Sequence, residues 1–255
     1  MATERGEPAP LARRLLAEGL GTGLLVTVVV GSGIAAQRLS PDDVGLQLLE
    51  NSTATVLGLT VLILMVGPVS GAHLNPVVSL ADWWLGRRLG TGLLPRDLAA
   101  YVLVQVGGGV AGAALANLMY DVPTGLATTD RSDWHLLVGE VVAAAGLVTL
   151  VFALARSRRG AWAAPAVGAY IGAAYWFTSS TSFANPAVTV GRAFSDTFAG
   201  IDPASVPGFV AAQVVGAAVA VVLVKALYPG VERAADDVVV PHPASRPDRR
   251  EVPPA

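Results

Sequence analysis

The chain has 255 residues, 53% of them hydrophobic and only 14% charged, with a net charge of −2 and no cysteine. A soluble domain carries about 25% charged residues, so the shortage points to a membrane protein. The near-neutral balance gives no reason to expect a nucleic-acid partner, and the lack of Cys excludes disulfides and thiolate metal sites.

A bilayer-spanning helix needs roughly 20 mostly apolar residues. Residues 1–10 are polar and lack a cleavable-signal pattern, so they are expected to form a short segment before the first span. Six stretches then qualify as spans, over residues 11–36, 51–69, 98–120, 134–155, 161–179 and 207–228. Two further apolar stretches, 74–85 and 184–194, are too short to cross. Such pieces sit at membrane depth only where protein or a water-filled cavity covers their backbone. The remainder, 229–255, is rich in Pro, Asp and Arg and is expected to be a disordered tail.

Basic residues set the expected orientation. Arg13 and Arg14 open the first span. Arg87, Arg88 and Arg96 lie between the second and third, and Arg156, Arg158 and Arg159 between the fourth and fifth. The opposite connections hold Arg38 and Arg131 among several Asp residues. Both termini are therefore expected to be cytoplasmic.

The chain also repeats itself. Ala17-Glu18-Gly19 matches Gly139-Glu140-Val141, His73-Leu74-Asn75-Pro76-Val77 matches Phe183-Ala184-Asn185-Pro186-Ala187, and Gln105 matches Gln213. Each half, 11–120 and 134–228, contains three spans. An odd number inverts the second half relative to the first, and inverted repeats place a substrate path at their interface near the midplane. Proline is tolerated in the first turn of a helix, and Asn before it can cap that helix. Two short helices should thus start at Pro76 and Pro186 and meet end to end. Their N-terminal dipoles would oppose a cation there, while the Asn amides offer hydrogen bonds to a neutral solute.

These paired boxes, with Ser70-Gly71-Ala72-His73 before the first and with Glu18 and Glu140, resemble the aquaporin, or major intrinsic protein, family over residues 11–228. The resemblance implies an all-α membrane protein of six transmembrane helices plus two re-entrant half-helices in an inverted repeat. It also implies a homotetramer with one pore per subunit and passage of small neutral solutes, with no cofactor. The two boxes are then Asn75, Pro76, Val77 and Asn185, Pro186, Ala187. Water-selective and glycerol-selective members usually place Arg directly after the second box; here that position is Val188. An ungapped count from the two Asn residues gives Thr55, Ala173 and Ser182 as the other filter positions. All four are small, which predicts a wider and less positive constriction. Arg192, one turn further on, is expected in the vestibule. Val188-Thr189-Val190 and Asp196-Thr197-Phe198-Ala199-Gly200 resemble a bacterial subgroup associated with arsenic resistance, which passes arsenite and methylated arsenicals. A bacterial inner membrane is the location this implies.

Other residues carry two readings. Glu18 and Glu140 are ionisable groups inside spans, read as acceptors for the folded-back loops, with proton relay as the alternative. His73 is read as a pore-edge residue in preference to a metal ligand, since no Cys or second His accompanies it. No nucleophile–base pair or phosphate-binding loop is visible, so no enzymatic activity is expected. Two other functions stay open: an ordinary water or glycerol channel, and an ion-coupled secondary transporter using Glu18 and Glu140.

Overall fold

A computed structural model describes residues 9–231. Most of the expected N-terminal segment, and the expected tail from residue 232 on, lie outside the described residues. All regular structure within them is helical. In chain order the helices are α1 (Leu11–Leu39), α2 (Val44–Ser70), α3 (Pro76–Gly86), α4 (Pro95–Met119), α5 (Trp134–Arg156), α6 (Ala163–Phe177), α7 (Pro186–Arg192) and α8 (Val206–Leu227). Five of them, α1, α2, α4, α5 and α8, are long and apolar enough to cross a membrane. The span expected over 161–179 is the 15-residue α6, preceded by a single 3-10 turn at Gly160–Trp162. At 1.5 Å per residue α6 alone covers about 22 Å of the roughly 30 Å hydrocarbon core. The turn supplies part of the remainder.

Local chemistry sets where elements begin. Helix α2 starts seven residues before the expected span because the Asp43 carboxylate caps it, accepting from Leu46 N at 2.9 Å. Helices α3 and α7 start where the Asn-Pro boxes predict. Each Asn is extended, its side-chain oxygen accepts from backbone N–H groups of the first turn, and Pro occupies the first turn. Helix α2 ends at Gly71, whose φ of +88° reverses the chain toward the cavity.

Four helices form each half, and one helix pairing recurs in both. Helix α1 lies along α4 and α5 along α8, while α2 meets α6 across the molecule. The α1–α4 seam depends on glycine. A Cβ on Gly108 would stand 2.2 Å from Gly19 O, and one on Gly112 2.0 Å from Gly23 O. Backbone meets backbone there, and Thr27 Oγ1 donates to Gly112 O at 3.0 Å across the same seam. Gly112→Val should therefore push the two helices apart and destabilise the protein by about 1–3 kcal/mol, as overpacking does. Thermal unfolding of the variant in detergent checks this, and an unchanged midpoint would contradict the packing.

The apolar residues left over face outward. Leu57, Val61, Leu64, Leu103, Leu118, Trp176 and Val222 are all more than half exposed. An apolar surface of this extent is expected on a chain solvated by lipid or by other protein copies.

Candidate functional site

The two half-helix starts meet inside the bundle and tie each other down. Asn75 Nδ2 donates to Ala184 O at 2.8 Å, and Asn185 Nδ2 donates to Leu74 O at 2.7 Å. The oxygen of Asn75 accepts from Val77 N at 3.0 Å; that of Asn185 accepts from Ala187 N at 3.0 Å and Val188 N at 3.3 Å. An amide NH₂ has two N–H bonds, so each Asn keeps one beyond its bond to the opposite loop. Both residues line a cavity inside the bundle.

The approach to each box is strained in the same way in both halves. Ala72 and Leu74 have φ near +50°, as do Ser182 and Ala184, each 110 residues later. A non-glycine residue at positive φ costs on the order of 1 kcal/mol or more and persists where its surroundings over-determine it. Here a buried carboxylate does so. Glu18 accepts from Ser70 Oγ (2.7 Å), His73 N (2.9 Å), Leu74 N (2.7 Å) and Gln105 Nε2 (2.8 Å). Glu140 accepts from the matching set of Ser180 Oγ (2.6 Å), Phe183 N (2.9 Å), Ala184 N (2.8 Å) and Gln213 Nε2 (2.5 Å). Neither carboxylate is among the residues lining the cavity. His73 does line it, its Nδ1 lying 3.0 Å from Ser79 Oγ and its ring edge-on to Tyr101.

The cavity measures ≈ 610 Å³ with its open mouths included. Its walls are rows of side chains four residues apart. Thr55, Leu59 and Ile63 come from α2, and Val167, Ile171 and Tyr175 from α6. Thr55, Ser182 and Val188 line it, as the ungapped count places them. Ala173 does not. It is exposed on the opposite side of α6, and Tyr175 stands at the wall instead. The inward row fixes the register: Ile63 lies twelve residues before Asn75, but Tyr175 only ten before Asn185. An offset of two residues turns a side chain by about 200° around a helix, which takes position 173 out of the cavity.

At the mouth farther from the described termini, Thr55 Oγ1 and Tyr175 OH share a hydrogen bond of 3.1 Å. Ser182 Oγ is buried beside them with no hydrogen-bond partner among the described residues. Arg192 also reaches this cavity, since its buried guanidinium lies 3.4 Å above the Phe183 ring and its Nε donates to Ala199 O. Tyr175 and Phe183 are wall residues that the sequence reading missed. The four-residue spacing of Val167, Ile171 and Tyr175 is the signal that could have found the first.

The connection between α4 and α5 is tied to the chain that follows α7. Ala127 N donates to Ala193 O at 2.9 Å and Asp202 N to Thr129 O at 2.7 Å. Arg131 lies on the same connection. Burial draws its guanidinium below its usual pKa, while the charge of Glu140 acts in the opposite sense. Beside it, Asp130 is held below the ordinary carboxylate value by hydrogen bonds, first from Ser132 and then from Ser205.

Comparison with known proteins agrees with this architecture. A family model described as "Major intrinsic protein" matches residues 7–182. Aquaglyceroporin AqpS of Rhizobium meliloti is 50% identical over 221 residues, covering 84% of this chain and 90% of that protein. The glycerol uptake facilitator protein of Pseudomonas aeruginosa is 39% identical over 114 residues, 44% of this chain and 38% of that one. Among solved structures, the aquaglyceroporin from Plasmodium falciparum superposes with a TM-score of 0.65 at 17% identity. It covers 88% of this chain and all of that one, and it shows the shared fold.

Proposed function

Because the chain belongs to the major intrinsic protein family, we propose that it is a passive transmembrane channel for small uncharged solutes and has no enzymatic activity. Metalloid acids such as arsenite and methylated arsenicals are the cargo we infer, with water or glycerol passing as well. The observation that carries this reading is the wall at the far mouth. Val188 occupies the position after the second box where other members usually carry Arg, and it lines the same cavity as the hydroxyl-bearing Thr55, Tyr175 and Ser182. Arsenous acid is an uncharged triol at neutral pH. Such a solute can exchange water for bonds to those hydroxyls and then to the free N–H groups of Asn75 and Asn185. The valine side leaves it room and adds no charge.

A narrower reading, an ordinary glycerol channel, is favoured by two relatives, an aquaglyceroporin and a glycerol uptake facilitator. A coupled transporter has less support. The ion ligands it would use near the midplane, Glu18 and Glu140, are each engaged by four donors and stand outside the cavity wall.

The same reading puts the protein in a bacterial inner membrane. The basic connections at 87–96 and 156–159 lie on the cytoplasmic side with the termini, as cytoplasmic loops carry the excess of Lys and Arg. The protein is proposed to assemble as a homotetramer, which would cover part of the exposed apolar surface and leave the rest to lipid.

Uptake by cells producing the protein tests the cargo. Arsenous acid and monomethylated arsenous acid should enter faster than in cells lacking it, and dissipating the sodium and proton gradients should leave the difference intact. A six-carbon polyol should stay out. Uptake that collapses with either gradient would instead support coupled transport, and entry of glycerol without the arsenicals would support the narrower channel.

A further inference from the structure

Resting on the channel reading, we propose that Arg192 and Arg131 together reject cations at the far mouth, a task that position 188, being valine, cannot perform.

The two guanidinium groups share one aromatic seat. The Arg192 Cζ lies 3.4 Å from the centroid of the Phe183 ring and the Arg131 Cζ 5.2 Å from it. They also hold adjacent backbone carbonyls. Arg192 Nε donates to Ala199 O, and Arg131 Nε donates to the next carbonyl, Gly200 O, at 2.9 Å. Arg131 is fixed further by its own N–H, which donates to Ser205 Oγ at 3.0 Å. Each side chain is therefore held through Nε, and no hydrogen bond to another described residue engages the terminal nitrogens.

Neither charge is neutralised by contact. The ion pairs among the described residues join Arg14 and Arg96 to Asp97, near the other end of the bundle. The carboxylate whose field reaches both arginines is Glu140. It is a single negative charge, spent on four hydrogen bonds behind the loop. The pair thus puts two positive charges beside the cavity wall, while the carboxylates of the same connections, Asp130, Asp196 and Asp202, accept from Ser132 and Ser205, from Thr128, and from Ala204. Burying a guanidinium without a contact partner is costly, and a neutral amide could hold Ala199 O equally well. The retained charge therefore has an electrostatic use.

Arg192 is the effective member for a permeating particle. It is only 3% exposed, yet it lines the same cavity as Val188, one helical turn away on α7. Its position over Phe183 also occupies the ring face that could otherwise attract a permeant cation. Width and charge are consequently set by different residues. Val188 leaves space for a triol, which carries no charge for the arginines to repel. A sodium or methylammonium ion of comparable or smaller size meets the positive field before it reaches Asn185.

The test uses the full-length protein in liposomes, with sodium and methylammonium entry recorded beside glycerol entry. Wild type should pass glycerol and exclude both cations. Arg192→Gln should raise cation entry roughly tenfold over wild type, the scale set by removing one unit charge a few ångströms from the path. Arg131→Gln should raise it less, and the double variant most. Arg192→Lys, which keeps the charge and loses the fork, should stay close to wild type. Glycerol-permeable Arg192→Gln liposomes that still exclude both cations would overturn the inference. If that variant does not fold, Arg131→Gln decides: increased cation entry supports the pair, and unchanged entry contradicts it. Wild-type liposomes that pass no glycerol would instead defeat the channel reading itself.

Discussion

Val188→Arg is expected to cut arsenous-acid entry by about tenfold or more, a barrier increase of roughly 1.4 kcal/mol per factor of ten, while water continues to pass. Val188 is 5% exposed and lines the cavity one turn from Arg192. An arginine here would extend its guanidinium toward the hydroxyl row of Thr55, Tyr175 and Ser182. Its five N–H donors would compete with the solute for those hydroxyls, and its length would narrow the mouth. It would also stand four residues from Arg192 on the same helix face, where like charges repel. Val188→Met separates these effects, because it adds length without charge. If Met reduces entry as much as Arg, width is the filter; if Met is tolerated and Arg is not, charge and hydrogen bonding dominate. Stopped-flow light scattering with proteoliposomes reads both variants. Equal arsenous-acid rates in all three proteins would remove Val188 from the filter.

Glu140→Ala is expected to damage the fold severely. It leaves Ser180 Oγ, Phe183 N, Ala184 N and Gln213 Nε2 without their acceptor inside the bundle. Each buried donor left unsatisfied costs about 1–3 kcal/mol, so the sum approaches the roughly 5–15 kcal/mol of a whole domain. The positive-φ residues Ser182 and Ala184 would also lose the clamp that holds them, and the second Asn-Pro box would lose its position. Glu140→Gln keeps one carbonyl acceptor and should be intermediate. Glu18→Ala should match Glu140→Ala, since its four partners are the equivalent groups of the other half. Thermal unfolding in detergent, with folded yield, measures the series. A Glu140→Ala protein as stable as wild type would show that the loops are held by something else. A selective loss of gradient-driven flux with stability intact would revive the proton-relay reading.

The parts of this molecule that were readable beforehand are those in which residue type and repetition coincide. Asn75 and Asn185 announce a helix start because Pro follows each one. Glu18 and Glu140 announce a buried task because a carboxylate inside a span needs partners. The matching of the boxes 110 residues apart and of the Glu residues 122 apart tied the two halves together. Tyr175 was not readable in this way. Its place at the wall depends on the register of α6, whose inward row ends at Tyr175, ten residues before Asn185, whereas the inward row of α2 ends at Ile63, twelve before Asn75. Counting along the chain from Asn185 therefore chose Ala173, which faces outward. Arg192 could be placed near the mouth, but not as part of the cavity wall. Its inward reach depends on Phe183 and on Ala199, which the chain brings back only after α7 ends. Arg131 was less accessible still, because its seat on Phe183 joins segments about fifty residues apart and follows from the folded connection between α4 and α5. Helix ends moved for similarly local reasons, as at Asp43, whose cap adds two turns to α2 that hydropathy alone did not include.

The central claim is that small neutral solutes cross through the cavity between the two Asn-Pro boxes. The most direct measurement is arsenous-acid and glycerol entry into liposomes containing the wild-type protein, followed by stopped flow at several temperatures. Entry should lie well above that of empty liposomes and be linear in solute concentration, with a shallow temperature dependence set by passage along a preformed path. Rates equal to those of empty liposomes, or entry that saturates and vanishes without an ion gradient, would contradict it.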